Sequence, residues 1–444
     1  MVTETTPTHV PTPTPDPAPV AKKVLVIGAG MSGIKAAHKL AAAGFDVQVL
    51  EGRDRLGGRT WSNNAMGTPL DMGASWIHGI EGNPIHQLAT DLSVPLVEWD
   101  YDNQVTYDHQ GNIDYDIDGK MQSVETDLFS WATVALLNDQ DATVQDAINI
   151  GVQNGDLDHM NPMEVEFMTN VLVEQDTAAD ASDVSIAGVL ELGEFGGPDV
   201  IFPQGYDALV KAMAADLDVK LNTWVKAIRY DQTMVTVETS QGDFEADYVI
   251  VTVPLGVLKK GVIDFTPALP QNKLAAIAAL DMGVLNKVYL HFGEVFWDNS
   301  VTNMANISEQ KGHWSYWINL EPATGKPILG AFNVASFGKE IEDLTDEQII
   351  AKAMETLKTM YGNDIPQPAD HLITRWGKDE FTYGSYSYIP KGASASMRND
   401  LAEPVDGKVL FAGEATHSEH PSTVHGAFLS GEREADRVIS LAGR

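Results

Sequence analysis

The sequence predicts an α/β protein built round a parallel sheet, and the evidence is an ordered set of patterns near its start. An apolar run at residues 23–27 is followed by the glycine-rich turn GAGMSG at residues 28–33 and by a helical pattern at residues 34–41. A second apolar run, at residues 47–50, ends in Glu51. Strand, glycine-rich turn, helix and acid-ended strand in this order are typical of a βαβ unit that binds a dinucleotide.

The glycine-rich turn and the helix after it form a cradle for the pyrophosphate of such a cofactor. Glycines let the backbone approach the phosphates, and the helix N-terminus offers free N–H groups and a positive partial charge. Glu51 is placed to hold a ribose 2′-hydroxyl. The alternative, a glycine-rich turn without a ligand, does not account for the second strand and its acid. The residues predicted to contact the cofactor here are Gly28, Gly30, Met31, Ser32, Gly33, Glu51, Gly52 and Arg53.

Composition predicts a soluble globular protein with room for two or three domain-sized units. The 444 residues are 43% hydrophobic and 21% charged, and no apolar stretch approaches the roughly 20 residues that span a bilayer. A net charge of −34 argues against nucleic acid as a partner and would draw cationic substrates towards the protein. Solubility or salt tolerance is the alternative reason for the surplus carboxylates. A cytoplasmic or an exported location, and the oligomeric state, stay open.

Local patterns extend the prediction along the chain. Residues 1–21 form a tail rich in Thr and Pro that we expect to be disordered. Helical patterns lie at residues 161–173 and 184–192. Strand patterns, which we expect to return to the cofactor sheet, lie at residues 219–221, 224–230, 235–239 and 244–253. Residues 260–400 alternate strand and helix patterns with many aromatic residues.

Further motifs carry a resemblance to a known family. They are RLGGRTWS at residues 55–62, GASWIHG at 73–79, GNPI at 82–85, GSYSY at 384–388, FAGEAT at 411–416 and TVHGAFLSG at 423–431. Together they resemble the flavin amine oxidases and, among these, the polyamine oxidase branch, which also includes histone-lysine demethylases. The resemblance covers essentially everything after residue 22.

This resemblance implies the amine oxidase fold, with a Rossmann-like domain that binds FAD and an interleaved α+β substrate domain of mixed sheet and helices. The chain contains no cysteine, so the FAD is expected to be non-covalent, without a cysteine link. The expected domains are residues 22–79, 200–259 and 404–444 for FAD, and residues 80–199 and 260–403 for the substrate.

The resemblance also assigns cofactor contacts. Gly58 and Arg59 would lie at the FAD diphosphate, and Glu414 at the ribityl and phosphate groups. Val225 would meet the adenine through its backbone. The N-terminus of the helix that starts at Val424 would point its positive partial charge at the N1–C2 carbonyl edge of the flavin, where negative charge accumulates on reduction. The rest of the expected FAD set comprises Gly73, Ala74, Ser75 and Trp76 along the isoalloxazine, with Trp376, Gly413 and Thr423.

Lys287 is an anomalous charge in a strand of alternating pattern, residues 285–292. In the family, a lysine at this place binds a water that faces flavin N5 and assists reoxidation by oxygen. The alternative is a lysine at a strand edge that reaches solvent.

Four residues are expected at the substrate. The resemblance places His78 beside the reacting amine, Glu174 near a tunnel and Tyr386 as an aromatic wall beside the flavin. A tunnel carboxylate would pair with a remote ammonium, and an aromatic face attracts an amine cation. The alternatives are a structural histidine, a solvated acid at a helix end and ordinary core packing. Thr423 stands where monoamine oxidases have a second tyrosine, which would widen the site and disfavour small monoamines.

Two other functional classes are weakened by what the sequence lacks. Amino-acid oxidases place an arginine for the substrate carboxylate a few residues after the Gly-Gly-Arg motif, but residues 60–64 are TWSNN. The accessory helical domain and long coiled-coil insertion of the demethylases are also missing. His417, His420 and His425, with Glu419, match no familiar zinc spacing, so we predict no metal site.

The expected function is therefore oxidation of a C–N bond of a polyamine by hydride transfer to flavin N5. Dioxygen would be the acceptor, and the products would be hydrogen peroxide, an aminoaldehyde and a smaller amine. The expected partners are a small cationic amine and dioxygen. An L-amino acid or monoamine oxidase is the alternative, and a flavoprotein scaffold without turnover is a more remote one.

Overall fold

The computed structural model describes residues 21–114, 116–190 and 192–443. The predicted disordered segment, residues 1–21, lies outside the described residues except for Ala21. In chain order, the strands are β1 (Lys23–Ile27), β2 (Asp46–Leu50), β3 (Ser62–Asn63), β4 (Leu70–Asp71), β5 (Trp76–Ile77), β6 (Val97–Glu98), β7 (Gln104–Tyr107), β8 (Val200–Ile201), β9 (Asp218–Lys220), β10 (Val225–Tyr230), β11 (Val235–Thr239), β12 (Gly242–Ala246), β13 (Tyr248–Val251), β14 (Asp264–Thr266), β15 (Asp281–Met282), β16 (Leu285–His291), β17 (Asn303–Asn306), β18 (Tyr316–Asn319), β19 (Ile328–Val334), β20 (Asp370–Ile373), β21 (Ser387–Tyr388) and β22 (Val409–Phe411).

The α-helices are α1 (Met31–Ala42), α2 (Pro84–Asp91), α3 (Ile117–Asn138), α4 (Val144–Asn154), α5 (Pro162–Thr169), α6 (Gln175–Thr177), α7 (Ile186–Val189), α8 (Asp207–Met213), α9 (Leu255–Lys260), α10 (Gln271–Ala279), α11 (Glu321–Thr324), α12 (Ala335–Ile341), α13 (Asp346–Tyr361), α14 (Met397–Ala402) and α15 (Val424–Leu441). A π-helix, Asn170–Glu174, joins α5 to α6, and a 3₁₀ helix, Glu414–Thr416, follows β22.

A parallel sheet in the order β22-β13-β1-β2-β9 lies at the centre of the cofactor-binding part. Strands β1 and β13 carry continuous apolar runs because both of their faces are covered, and Val24, Leu25 and Val26 have no exposed surface. Helices α1 and α15 pack on one of these faces. The sheet confirms the predicted βαβ unit, and it takes its strands from three separated parts of the chain.

A second sheet, in the order β12-β11-β10-β14, covers the other face, and the two sheets share a core that includes Leu25, Val237 and Val249. The prediction that residues 224–230 and 235–239 return to the parallel sheet is wrong. They form β10 and β11, which pair antiparallel with each other, and β12 continues this meander. Short turns favour pairing between consecutive strands over pairing with a distant edge. Only β9 and β13, among the strands predicted here, join the parallel sheet.

The substrate part is built on a sheet in the order β20-β16-β19-β18-β17-β7. The register of β16 and β19 pairs Lys287 with Phe332, so these two side chains share one face. The opposite face carries Val288 and Leu290, which pack with Ile349 under α12 and α13. Because strand side chains alternate, Lys287 is directed away from this core.

The helices of the substrate part pack round a core shared by α3, α4 and α5. The predicted helix at residues 161–173 is α5 continued by the π-helix. The predicted helix at residues 184–192 is too long, since only α7 is helical. Val184 instead bridges Pro390, and Ser185 N–H donates to the Ile389 carbonyl. No helix within the described ranges combines the length and apolarity that a bilayer span needs.

Candidate active site

A cavity of about 1510 Å³ lies between the parallel sheet and the face of the six-stranded sheet that carries Lys287. Of the residues predicted from sequence, Gly33 and Glu174 do not line it. The predicted residues that do line it are Gly28, Gly30, Met31, Ser32, Glu51, Gly52, Arg53, Gly58, Arg59, Gly73, Ala74, Ser75, Trp76, His78, Val225, Lys287, Trp376, Tyr386, Gly413, Glu414, Thr423 and Val424.

The glycine-rich turn between β1 and α1 closes one end of the cavity. Gly28 has φ +106°, and a Cβ there would lie 2.7 Å from Thr252 Oγ1. A Cβ on Gly33 would lie 2.0 Å from the Gly28 carbonyl oxygen, so Gly33 supports the turn from behind. Within the described residues no side chain caps α1, which leaves the N–H groups of its first turn free to bind phosphate. The turn therefore fits a pyrophosphate.

Glu51 lies beside this turn and is 6% exposed. Its carboxylate accepts hydrogen bonds from Ala29 N at 2.7 Å and from Arg53 N at 2.8 Å. Each carboxylate oxygen keeps a lone pair that can accept a hydrogen bond from a hydroxyl. Burial raises the pKa of this carboxyl. Thr223 N donates to the Glu51 carbonyl, which brings Val225 at the start of β10 to the same end. This end of the cavity fits a nucleoside.

Arg59 and Glu414 form an ion pair at 2.8 Å in the cavity wall. Glu414 also accepts hydrogen bonds from Ser387 Oγ at 2.6 Å and from Ser422 N at 3.0 Å. Burial opposes ionisation of Glu414, but the charges of Arg59 and Arg398 hold its pKa below the ordinary value. Arg59 and Glu414, which are expected to contact the diphosphate and ribityl groups of FAD, therefore also hold each other in place.

Thr423 caps α15, whose first residue is Val424. Thr423 Oγ1 accepts a hydrogen bond from Gly426 N at 2.9 Å and donates to the His420 carbonyl at 2.9 Å. Both residues line the cavity, so the positive end of α15 faces it, where it would stabilise negative charge. The Thr423 hydroxyl is engaged in this cap.

Lys287 is 2% exposed, so the alternative of a solvent-facing lysine at a strand edge is wrong. Its ammonium donates to the Asp71 carbonyl at 3.0 Å, the Gly73 carbonyl at 2.6 Å and Ser75 Oγ at 2.5 Å. Burial lowers the pKa of Lys287 well below that of an ordinary lysine, and the Asp71 carboxylate opposes this change. A lysine in this setting can release and regain a proton near neutral pH.

Two buried donors in the cavity wall have no hydrogen-bond partner among the described residues. They are Trp76 Nε1 and Gln175 Nε2. An unpaired buried donor costs free energy, so such groups are normally satisfied by a ligand or by ordered water. The Trp76 ring packs on Phe332 and Trp99, with centroids 5.7 Å and 5.8 Å away. An aromatic wall with unsatisfied donors fits a planar heterocycle that carries acceptors.

His78 lies at the other end of the cavity, where its position is set by Asp199. His78 Nδ1 and Asp199 Oδ2 are 2.6 Å apart, and Gly79 N donates to Asp199 Oδ1 at 2.8 Å. Tyr101 Oη donates to Asp199 Oδ2 at 3.3 Å. The His78 side chain is 60% exposed and stacks on Trp76, with centroids 6.4 Å apart. The imidazole is thus oriented and still open to a ligand.

Asp176 lines the same end of the cavity, and sequence reasoning missed it. Its carboxylate accepts no hydrogen bond and forms no ion pair within the part of the chain that the structure describes. Desolvation by the surrounding protein raises the pKa of Asp176 to about 6. His78 opposes this shift, and the nearby acids Glu194 and Asp199 reinforce it. The Asp176 side chain is accessible from the cavity, and a carboxylate without a protein partner there can bind a cation.

The comparisons with known proteins agree with this geometry. Residues 31–439 match the family of flavin-containing amine oxidoreductases. The chain belongs to this family. It is 36% identical to polyamine oxidase 5 of Oryza sativa subsp. japonica, over 92% of this chain and 86% of that protein. It is 34% identical to lysine-specific histone demethylase 1 homolog 1 of Arabidopsis thaliana, over 95% of this chain and 52% of that protein.

A solved structure of putrescine oxidase, a double mutant with redesigned cofactor binding, has a TM-score of 0.79. It is 22% identical and covers 95% of this chain and 99% of its own, which confirms the predicted fold class. As a flavin-containing amine oxidoreductase, the protein is an FAD-dependent enzyme. The turn at Gly28, the Glu51 carboxylate and the donors beside the aromatic wall fit FAD from its diphosphate to its ring.

In this amine oxidoreductase, Glu174 does not have the place predicted for it. Its carboxylate is 1% exposed and pairs with Lys311 Nζ at 2.5 Å. It also accepts hydrogen bonds from Ala181 N at 3.0 Å and Asn170 Nδ2 at 3.0 Å. These protein partners engage both oxygens of the carboxylate, and Lys311 balances its charge. Asp176, two residues later, faces the cavity instead.

Tyr386 and Trp376 also lie in the wall of the cavity. Tyr386 Oη donates to the Gln175 carbonyl at 2.5 Å, and burial raises the pKa of this phenol. Trp376 Nε1 donates to the Met72 carbonyl at 3.1 Å, and its ring meets the edge of Trp61. Both rings are fixed by backbone acceptors, so they present preset aromatic faces to the cavity.

The histidines near α15 form an aromatic cluster. Phe195 stacks on His420 with centroids 4.8 Å apart, and it meets His425 edge-on at 5.1 Å. Burial, together with neighbouring positive groups, lowers the pKa of His417 to about 4 and of His425 to about 3, so both are neutral at pH 7. No group of side chains suited to a metal ion occurs among the described residues.

Proposed function

We propose that this amine oxidoreductase oxidises polyamines and uses dioxygen as the acceptor. The observation that carries the proposal is the unpartnered Asp176 carboxylate at the substrate end of the cavity. Asp176 is accessible from the cavity, and the surrounding protein removes part of the water that would stabilise its charged form. A second ammonium on the substrate would replace that water. The arrangement favours a substrate with two or more positive charges over one with a single amine.

The other charged groups at this end support the same substrate class. Asp176, Glu194, Asp199 and Glu419 line the cavity, together with His78, His420 and His425. These acids would repel a substrate carboxylate. The cationic side chains Arg53 and Arg59, which could bind one, line the part of the cavity assigned to FAD. This distribution disfavours an amino-acid substrate. The net charge of −34 would also steer a polycation towards the protein.

The reacting amine would lie between His78 and the aromatic face of Tyr386, next to the flavin. Bound FAD supplies a two-electron acceptor for the hydrogen on the carbon next to the nitrogen. The reacting nitrogen must be neutral, so its proton leaves first, and the oriented His78 imidazole is placed to take it. The resulting imine is hydrolysed to an aminoaldehyde and a smaller amine, and reduction of dioxygen gives hydrogen peroxide.

Substrate profiling with matched compounds tests this proposal. Spermine, spermidine and 1,4-diaminobutane are compared with butylamine, benzylamine and L-leucine, and hydrogen peroxide and aldehyde are both measured. We expect kcat/KM to be highest for a polyamine and peroxide to form in equal amount with the aldehyde. Faster turnover of L-leucine or benzylamine would overturn the polyamine assignment. Aldehyde formation without peroxide would overturn the assignment of dioxygen.

A further inference from the structure

The Lys287 ammonium has three hydrogens, and the structure provides three acceptors for them. Two are backbone carbonyls, Asp71 O at 3.0 Å and Gly73 O at 2.6 Å. The third is the hydroxyl oxygen of Ser75, at 2.5 Å. A carbonyl oxygen accepts a hydrogen bond but has no hydrogen of its own to release, whereas a hydroxyl accepts and donates at once. Of these three partners, only Ser75 can pass a proton onward.

Ser75 lies beside the ammonium in the wall of the cavity. Lys287 is 2% exposed, while Ser75 is half-buried and belongs to the segment 73–76 of the cavity wall. The ammonium is flanked by two rings, with Nζ 5.6 Å from the Trp76 centroid and 5.3 Å from the Phe332 centroid. Among the described residues, the hydrogen-bond partners of Nζ are the two carbonyls and Ser75 Oγ, so the Ser75 hydroxyl is the proton-carrying group in direct contact with Lys287.

We propose that Ser75 relays a proton from Lys287 to dioxygen as it is reduced in the cavity. The proposal rests on the use of dioxygen argued above. Reduced flavin supplies two electrons and one hydrogen, so hydrogen peroxide needs one further proton. An N–H bond of Lys287 breaks and its proton moves to Ser75 Oγ, while the proton already on Oγ passes to the reduced oxygen. Lys287 ends neutral, Ser75 is unchanged, and Lys287 later regains a proton from solvent by the reverse path.

The groups that face Lys287 make this exchange feasible. The Asp71 carboxylate, held by Ser62 Oγ at 2.5 Å and Tyr206 N at 2.9 Å, favours the charged lysine. Burial favours the neutral lysine, and Asp207 beside Asp71 adds a second acid to the same environment. Because these effects oppose each other, neither protonation state of Lys287 is strongly locked.

Tyr289 is the other hydroxyl near Ser75, and its contacts argue against it as the relay. Its Oη donates its hydrogen to the Asp71 carbonyl at 2.7 Å. The side chain is 2% exposed and does not line the cavity. A proton transferred to Tyr289 would therefore not reach the cavity.

Ser75→Thr and Ser75→Val form a matched pair, because they have nearly the same shape and differ in the hydroxyl. The holoenzyme of each variant is reduced by light without amine, then mixed with dioxygen in H₂O and in D₂O over a range of pH. We expect Ser75→Thr to stay near the wild-type rate. Ser75→Val should be reoxidised about 10²-fold more slowly and lose both the solvent isotope effect and the pH dependence. Equal rates for the pair, or an equal loss in Tyr289→Phe, would overturn the proposal.

A second measurement needs neither amine nor oxygen. Exchange of the Lys287 ammonium hydrogens with water is followed by NMR of ¹⁵Nζ-labelled holoenzyme, and the signal is identified from its absence in Lys287→Met. Exchange should be slowed in Ser75→Val but not in Ser75→Thr, and equal exchange would refute the relay. This result stands even if the enzyme fails to use polyamines or dioxygen, so the two proposals can fail separately.

Discussion

Arg59 and Glu414 are 355 residues apart in the sequence, and their side chains meet at 2.8 Å in the cavity wall. Arg59 follows β2, and Glu414 begins the 3₁₀ helix after β22. The pair therefore joins the first and last parts of the cofactor-binding region at the place where the flavin must lie. Glu414 is buried, so removal of the Arg59 charge would take away one of the two positive charges that stabilise its carboxylate, which is costly.

Glu414→Gln should lower the free energy of unfolding at pH 7 by about 1.5–3 kcal/mol, since hydrogen bonds from Arg59 and Ser387 lose a charged acceptor. The pKa of Glu414 is depressed in the folded state. Its stabilising effect is thus complete above the ordinary glutamate pKa and is lost as pH falls through the folded pKa. Urea unfolding between pH 7 and pH 3 measures both effects, and the variant should lose less stability than wild type on acidification.

Glu432→Gln is the matched control, because Glu432 pairs with Lys35 and Lys39 at the surface. Its removal should change stability by less than about 1 kcal/mol. A loss equal to that of Glu414→Gln would contradict the special role of the buried pair.

FAD should be released intact by acid, because the chain has no cysteine for a thioether link. Precipitation with trichloroacetic acid, followed by absorbance of the supernatant, measures the released flavin. Yellow colour that stays with the pellet would contradict non-covalent binding.

Lys287→Met should slow reoxidation of the reduced flavin by about 10²-fold, because the buried proton donor at the wall is lost. Reduction by amine should change far less. Stopped-flow absorbance separates the two half-reactions. Lys273→Met is the control, since Lys273 is also buried but donates to the Asp400 and Leu401 carbonyls outside the cavity. Wild-type reoxidation in Lys287→Met would show that the lysine is structural.

The parts of the molecule that sequence predicts well are those determined by local patterns. The turn at Gly28 and the acid Glu51 lie within one βαβ unit, where order along the chain fixes order in space. Strands β10 to β12 were misplaced for a related reason. Their alternation predicts strands correctly, but whether they pair with each other or with a distant sheet depends on turn geometry and on what covers each face.

The substrate end shows where sequence reasoning fails. Glu174 and Asp176 are two residues apart, and nothing in the local pattern separates their roles. The π-helix Asn170–Glu174 changes which side chains share a face, and Lys311, far along the chain, neutralises one acid and not the other. Asp199 likewise gains its role through His78, 121 residues earlier in the chain. Such long-range pairings carry no local signal.

Glu174→Gln should destabilise the protein without changing its preference among amines. The carboxylate is buried but the Lys311 side chain is 31% exposed, so loss of the charged acceptor should cost about 1.5–3 kcal/mol. Thermal unfolding should show a lower midpoint, and Lys311→Met should lower it too. The ratio of kcat/KM for spermidine to that for butylamine should stay at the wild-type value. A selective loss of spermidine turnover would show that Glu174 contacts the substrate after all.

Asp176→Asn should change that ratio, because Asp176 is a carboxylate without a protein partner that lines the cavity near His78. A charged hydrogen bond to a remote ammonium contributes about 1.5–3 kcal/mol, which is roughly 10- to 150-fold in kcat/KM. Spermidine should lose this factor and butylamine should not. Asp183→Asn is the control, since Asp183 is exposed, lies outside the cavity and is seven residues away.

The pH dependence of the wild-type ratio provides an independent test. The pKa of Asp176 is raised to about 6, so the acid is neutral below that pH and charged above it. The preference for spermidine over butylamine should therefore fall as pH drops through about 6, and the ratio cancels the protonation of the reacting nitrogen that both amines share. In Asp176→Asn the ratio should be independent of pH in this range. A ratio that still falls near pH 6 in the variant would assign the cation site to another acid, with Glu194 the first candidate.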